Sequence, residues 1–188
     1  MQKIISLFKR NYDGDRLVRN EVVEGAEWVV RGEGRATRKW DGTCCMIRGG
    51  SLYKRYDAKM GRTPPPNFEP AQSRPDEATG HWPGWLPVGQ GPEDRWHREA
   101  FMTHIACHAG TTVDGTYELC GPKVQGNPER LALHELIPHG AESLADAPRE
   151  FNGLKGYLEK AGIEGIVWHH PDGRMVKIKA KDFGIARP

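Results

Sequence analysis

Residues 163–180 read IEGIVWHHPDGRMVKIKA: two runs of apolar and β-branched residues around Pro171-Asp172-Gly173. Such runs, split by an Asp-Gly pair, signal a β-hairpin. A two-residue type I′ turn at Asp172-Gly173 pairs Trp168 with Lys177 and Ile166 with Lys179. Side chains alternate faces along a strand. That register sets Glu164, Ile166 and Trp168 on one face with Lys177 and Lys179, and Val167 on the other with Ile178. A three-residue loop would slip the register and change which residues share a face. Taken alone, a carboxylate and two lysines on one face describe a solvated edge hairpin equally well.

A third lysine changes the weighing. The stretch RKWDGTCC, residues 38–45, sets Lys39 two residues before Asp41-Gly42. A K-x-D-G tetrapeptide is common by chance. Its chemistry is specific, however: a deprotonated lysine amine attacks phosphorus or carbonyl carbon, and neighbouring cations disfavour the ammonium form. Lys177 and Lys179 would supply that field if the chain brings them near. Gly42 allows a phosphate or a backbone to approach closely.

Outward from these two stretches, KIISLF (3–8) and EWVVR (27–31) read as strands. RATRKW (35–40) and TCCMIR (43–48) flank the Asp-Gly turn, and SLYKRYD (51–57) follows Gly49-Gly50, which predicts an antiparallel meander. Residues 61–95 hold more than half of the chain's 14 prolines and no clear period, so they are expected to be a long ordered loop or a mobile lid. PEDRWHREAFMTHIACHAG (92–110) predicts a helix stopping at Gly110, GTYELCG (115–121) and LALHELIPHG (131–140) predict strands, and PREFNGLKGYLEKAG (148–162) a second helix closed by Gly162. Mostly antiparallel strands with a few helices make the fold class α+β.

The chain has 188 residues and a formal charge of +2. That length suits one domain, 1–188, able to bury a core without staples. The weak positive balance permits an anionic partner without demanding one. Four cysteines with no C-x-x-C pair argue against a zinc ribbon or a thioredoxin-type site and for reduced thiols. No apolar run is long enough for a signal peptide or a membrane span, so a cytoplasmic protein with no membrane partner is expected.

The order of short motifs carries a resemblance. KWDG (39–42), LYKRYD (52–57), DGTYELCG (114–121), EGIVW (164–168) and KIK (177–179) occur in the order found in the covalent lysine nucleotidyltransferases, which include ATP-dependent DNA and RNA ligases and capping enzymes. Any one alone is weak evidence; five in order are not. KWDGTCC, GHWPGWLPV (80–88), GNP (126–128), LIPHGA (136–141) and IEGIVWH (163–169) more closely resemble the ATP-dependent 5′–3′ RNA ligase family that includes the vertebrate cytosolic RNA ligase.

The resemblance implies an ATP-grasp-like nucleotidyltransferase core. Lys39 would take AMP from ATP through a phosphoramidate, within a motif completed by Asp41 and Gly42. Arg55 would contact phosphate or the RNA end, and Glu118 would hold the ribose hydroxyls. Glu164 would organise Mg2+ (or Mn2+), through water as magnesium prefers. Lys177 and Lys179 would engage the α-phosphate. His134 is the expected adenine-stacking residue, with Leu136 as the alternative, and Arg38 the expected nucleotide contact beside the nucleophile. The substrate would be RNA with 5′-phosphate and 3′-hydroxyl ends. The chain ends nine residues after Lys179, where DNA ligases and capping enzymes continue into an OB-fold, so a core without a C-terminal OB-fold is expected. His104 and His108 are spaced four apart in the predicted helix as a metal pair would be, but lack a third ligand at telling spacing. Of Cys44 and Cys45, one is expected in the core and one near the nucleotide.

Overall fold

The computed structural model describes residues 3–77 and 79–186. In chain order the elements are β1 (Ile5–Ser6), β2 (Phe8–Arg10), β3 (Val18–Val22), α1 (Glu27–Val30), β4 (Arg35–Lys39), β5 (Thr43–Arg48), β6 (Ser51–Ala58), β7 (Glu69–Pro70), β8 (Trp82–Pro87), α2 (Arg95–Cys107), β9 (Gly115–Cys120), β10 (Glu135–Pro138), α3 (Phe151–Ala161), β11 (Gly165–His169) and β12 (Met175–Lys179). Short 3-10 helices cover Pro92–Asp94 and Ala180–Phe183. The class is α+β. Among the described residues, no helix is long and apolar enough to cross a membrane.

The chain forms two compact units. One comprises Ile4–Trp40 and the chain from Gly140 onward; the other is Asp41–His139, to which Lys3 also belongs.

The first unit is built on a four-stranded sheet in the order β1-β12-β11-β4, with β2 and β3 as a separate ribbon. β11 is antiparallel to both β12 and β4, and β1 is parallel to β12. Ile166, Trp168, Val176 and Ile178 share one face of the β11–β12 hairpin and are buried with Trp28, Leu154, Leu158 and Phe8. Phe8, Phe151 and Phe183 close this core edge to face, with centroids 5.1–6.5 Å apart.

The hairpin register differs from the two-residue expectation by one. Ile166 pairs with Ile178, Val167 with Lys177 and Gly165 with Lys179. The loop is Pro171-Asp172-Gly173, closed by His170 N–H to Arg174 O at 2.9 Å, with Gly173 at φ +92°. A three-residue loop with glycine in the left-handed region is the next commonest hairpin connection. It wins because the two-residue register would split the apolar set. Losing burial of one strand's pair, Ile166 with Trp168 or Val176 with Ile178, would cost roughly 3–6 kcal/mol, more than any turn preference.

The second unit is a six-stranded antiparallel sheet, β10-β9-β5-β6-β8-β7. Gly49 (φ +55°) and Gly50 (φ +72°) make the two-residue turn between β5 and β6. Cys45, Ile47, Leu52, Tyr117, Leu119 and Leu136 bury one face against Ala100 and Phe101 of α2.

Three other expectations are corrected. EWVVR is not a strand: Glu27–Val30 form the single helical turn α1, burying Trp28 and Val29. Asp41-Gly42 is not a hairpin turn: β4 pairs with β11 while β5 pairs with β6 and β9, so the chain changes sheet there. Residues 61–95 are not one long loop: β8 pairs with β6 over six residues despite Pro83 and Pro87. The prolines are tolerated because of where they point. Pro83 O accepts from Ala71 on the β7 side, whereas Val88 N–H donates to Leu52 O on the β6 side. Odd-numbered residues of β8 therefore aim their backbone away from β6 and toward the two-residue edge strand β7, where few ladder bonds depend on a proline N–H. Lys54 (2.5 Å) and Gly89 N–H (2.7 Å) hold the buried Asp94 and pin the segment that follows.

Two glycines test this packing. A Cβ on Gly165 would press into the Ile178 carbonyl and lie 2.9 Å from Lys179 Cα, whereas nothing lies within 4 Å of one on Gly156 in α3. Gly165→Ala is expected to lower the thermal midpoint, by about 3 kcal/mol in stability. Gly156→Ala should raise it, by about 0.5–1 kcal/mol. Differential scanning calorimetry of both variants checks the pair.

Candidate active site

The three central lysines belong to the first unit. Gly165 pairs with Lys39 on one side and Lys179 on the other, so the two lysines occupy one row across β4, β11 and β12 with only a glycine between them. One row further on, Thr37, Val167 and Lys177 align. The slipped register puts Lys177 and Lys179 with Val167, and Ile166 and Trp168 face the core instead. Strict alternation would then send Glu164 away from the lysines. Glu164 nevertheless joins them from one residue before Gly165, where its carbonyl accepts from Ala180 N–H at 2.8 Å. Its carboxylate bridges Lys39 Nζ at 2.5 Å and Lys179 Nζ at 2.6 Å.

Glu164 is 7% exposed. Burial alone would raise its pKa, but the Lys39 and Lys179 ammoniums outweigh burial and hold the carboxyl below its ordinary value. Lys177 goes the other way. Burial, with Lys179 and Lys39 beside it, lowers its ammonium to about 8. Three amines face one carboxylate, so the cluster carries excess positive charge and suits a polyanion.

Asp182 supports this edge. It is buried, accepts Lys179 N–H at 3.0 Å and pairs with Arg10. Arg38 lies 3.8 Å above the Trp40 ring and reaches Glu142 at 3.4 Å. It stands beside Lys39 with its charge partly neutralised.

Asp41, Gly42, Arg55, Glu118 and His134 lie in the second unit. Asp41 N–H donates to Glu129 at 2.9 Å, and Gly42 N–H donates to Glu118 Oε1 at 3.1 Å. Gly42 is required by a backbone: a Cβ there would strike the Leu119 carbonyl and sit 2.8 Å from Cys120 Sγ. Glu118 Oε2 meets His139 Nε2 at 2.9 Å, and His139 Nδ1 meets Thr116 Oγ1 at 2.9 Å. Arg55 is paired with Asp57 at 3.0 Å and lies 5.7 Å from the Trp85 ring centroid.

His134 is a correction. It is 3% exposed, stacks on Trp96 at 4.8 Å, and has Glu99 at 2.8 Å and Lys123 N–H at 3.2 Å on its two ring nitrogens. A ring so enclosed anchors the segment before β10 and has no face to offer a base. His104 and His108 stack on each other at 4.1 Å. Cys45 is buried, as expected of one of the pair, and Cys44 is half-buried opposite Glu118 on the neighbouring strand.

His139 and Thr116 were missed in the sequence. The strand spacing of GTYELCG and ELIPHG held the signal, since His139 lies two residues past Ile137, the partner of Glu118.

The family model described as RNA ligase 1 matches residues 101–188, which include Glu118, Glu164, Lys177 and Lys179. Relatives named RNA ligase 1 match more of the chain. The mouse protein is 28% identical over 81% of this chain and 68% of its own length. The zebrafish (Danio rerio) protein is 30% identical over the same shares. That of Pongo abelii is 34% identical over 61% of this chain and 44% of its own.

Two variants test the electrostatics. Glu164→Gln strips the carboxylate from between two ammoniums and should cost about 3 kcal/mol, read by chemical denaturation at pH 7. Lys177 is charged in both folded and unfolded chains below pH 8, where its burial is unfavourable. Between about 8 and its ordinary value of 10.5 the unfolded chain binds the extra proton, so stability rises with pH in that window. Lys177→Met should lack the rise and be the more stable protein at pH 7, its advantage shrinking toward pH 10.

Proposed function

The chain belongs to the RNA ligase 1 family, and from that membership we propose that it is an ATP-dependent RNA ligase working through a lysyl-AMP on Lys39. The observation that carries the reading is the row Lys39–Gly165–Lys179 with Glu164 between the two amines.

In the first step the Lys39 amine attacks the α-phosphorus of ATP. A P–N bond forms, the bond to the bridging oxygen breaks, and pyrophosphate leaves. The amine must first give up a proton, and Glu164 Oε2 at 2.5 Å holds that amine in place. Lys177 and Lys179 favour that loss by making another positive charge costly, and then stabilise the charge developing on the phosphoryl oxygens. Glu118 takes the ribose hydroxyls and Arg55 a phosphate or the RNA end, the roles their motifs carry.

In the second step AMP passes from Lys39 to an RNA 5′-phosphate. In the third, a 3′-hydroxyl attacks that phosphate and AMP leaves. All three are phosphoryl transfers, which call for positioning and charge neutralisation more than for new covalent devices.

Magnesium fits this reading in a limited way. Glu164 is a single carboxylate with an ammonium at each oxygen, no cage for a bare cation. It suits an ion that keeps most of its waters and takes its other donors from phosphate. Such an ion would neutralise charge on the polyphosphate.

Protein incubated with α-phosphate-labelled ATP and magnesium, then denatured, should retain label. Lys39→Ala should retain none, and a nicked RNA with a 5′-phosphate should discharge the label with sealing. Absence of label on nucleotide-free wild-type protein would overturn the reading. Lys179→Ala should slow labelling by about 100- to 1,000-fold, the usual loss for one oxyanion-stabilising donor.

A further inference from the structure

Cys44, Glu118 and His139 form a donor set of which the ligase reading uses Glu118 alone. Among the described residues they are the one group of three whose metal-ligating atoms all lie within 4.8 Å of one another. They come from a rigid frame. Cys44 is the direct cross-strand partner of Glu118, Glu118 pairs with Ile137, and His139 follows two residues on. All three therefore project from the same face of the sheet, opposite the face on which Cys45 and Leu119 are buried against α2.

The surroundings resemble those of a built metal site. A ligating histidine generally has its other nitrogen fixed by an oxygen partner, and a ligating carboxylate has its free oxygen hydrogen-bonded. Here Thr116 Oγ1 sits 2.9 Å from His139 Nδ1, and Gly42 N–H donates to Glu118 Oε1. That leaves His139 Nε2 and Glu118 Oε2 facing each other at 2.9 Å, a gap bridged by a proton or opened slightly for a cation. A thiolate, a carboxylate and a neutral imidazole sum to two negative charges. The thiolate selects a soft or borderline ion over magnesium. Donors around a tetrahedral zinc stand roughly 3.3–3.7 Å apart, given bonds of about 2.0–2.3 Å, so small rotamer changes suffice.

We infer that Cys44, Glu118 and His139 bind a zinc-class divalent cation, and that this cation competes with nucleotide for Glu118. The competition rests on the proposed role of Glu118 at the ribose; the metal site itself does not. A carboxylate bound to zinc has lost most of its capacity to accept from ribose hydroxyls. Zinc would thus inhibit Lys39 adenylylation without touching Lys39.

Cobalt(II) is the probe, because a thiolate ligand gives it a charge-transfer absorption. Nucleotide-free protein carrying Cys107→Ser, which removes the exposed thiol, is titrated with cobalt chloride. One equivalent should bind with that absorption, and zinc should bleach it. Cys44→Ser should abolish it, and Thr116→Val should weaken binding by about 10- to 100-fold. No charge-transfer band, or a band surviving Cys44→Ser, would overturn the site. In the second arm, zinc at the concentration that bleaches cobalt should suppress Lys39 labelling in the parent and leave Cys44→Ser labelling unaffected. Equal suppression in both would overturn the competition. A protein that binds cobalt through Cys44 yet never labels Lys39 would overturn the ligase reading and leave the metal site standing.

Discussion

One buried carboxylate organises the amine cluster. Glu164 sits with an ammonium on each oxygen, and without it three lysine amines would share a small, poorly hydrated space. Two-sided pairing of this kind is costly to assemble, since removing charges from water offsets much of their mutual attraction. It persists where the surrounding frame imposes it. Here the frame is the pairing of β4, β11 and β12, which is set by the apolar face below. Burial of Ile166, Trp168, Val176 and Ile178 decides the register, and the register decides which lysines stand side by side.

The cluster is therefore less stable than the sheet that carries it. Lys177 is driven down to about 8 by burial and by its neighbours, the signature of a group held where it would not choose to be. A site with excess positive charge on a rigid sheet suits a polyanion. Its repulsion is relieved by an anionic ligand rather than by relaxation of the fold. The ligand and the fold thus share one electrostatic balance.

Much of this could be read from the chain alone, and the misreadings have physical causes. Strand periodicity located β4, β5, β6, β9 and both strands of the last hairpin, because each buries one face. EWVVR misled because four apolar-rich residues fit a strand or a helical turn equally well; packing of Trp28 chose the turn. The prolines of β8 concealed a strand because composition does not tell which side of a strand a proline faces. Glu164 was paired with Lys177 and Lys179 for a reason that failed, since the register slipped by one. It stays with Lys179 all the same, its carboxylate bridging Lys39 and Lys179 at the end of the hairpin. His134 was assigned to a base because a histidine in the right motif looks available; only its contacts with Trp96, Glu99 and Lys123 enclose it. His139 went unnoticed for the converse reason, as its relation to Glu118 is across strands.

The pairing of β4 with β11 and of β1 with β12 also has a consequence for how the protein is made. Lys39 meets Gly165 across 126 residues of chain, and Ile5 meets Val176 across 171. The intervening six-stranded unit is contiguous, Asp41–His139, so all but the most local pairings of the lysine-bearing sheet wait for the last strands to emerge. At ordinary synthesis rates that delay is on the order of 10 s. A nascent or truncated chain would hold Lys39 on an unpaired edge, without Glu164 or its companion lysines. The setting of Lys39 is thus assembled late, once β11 and β12 have been made.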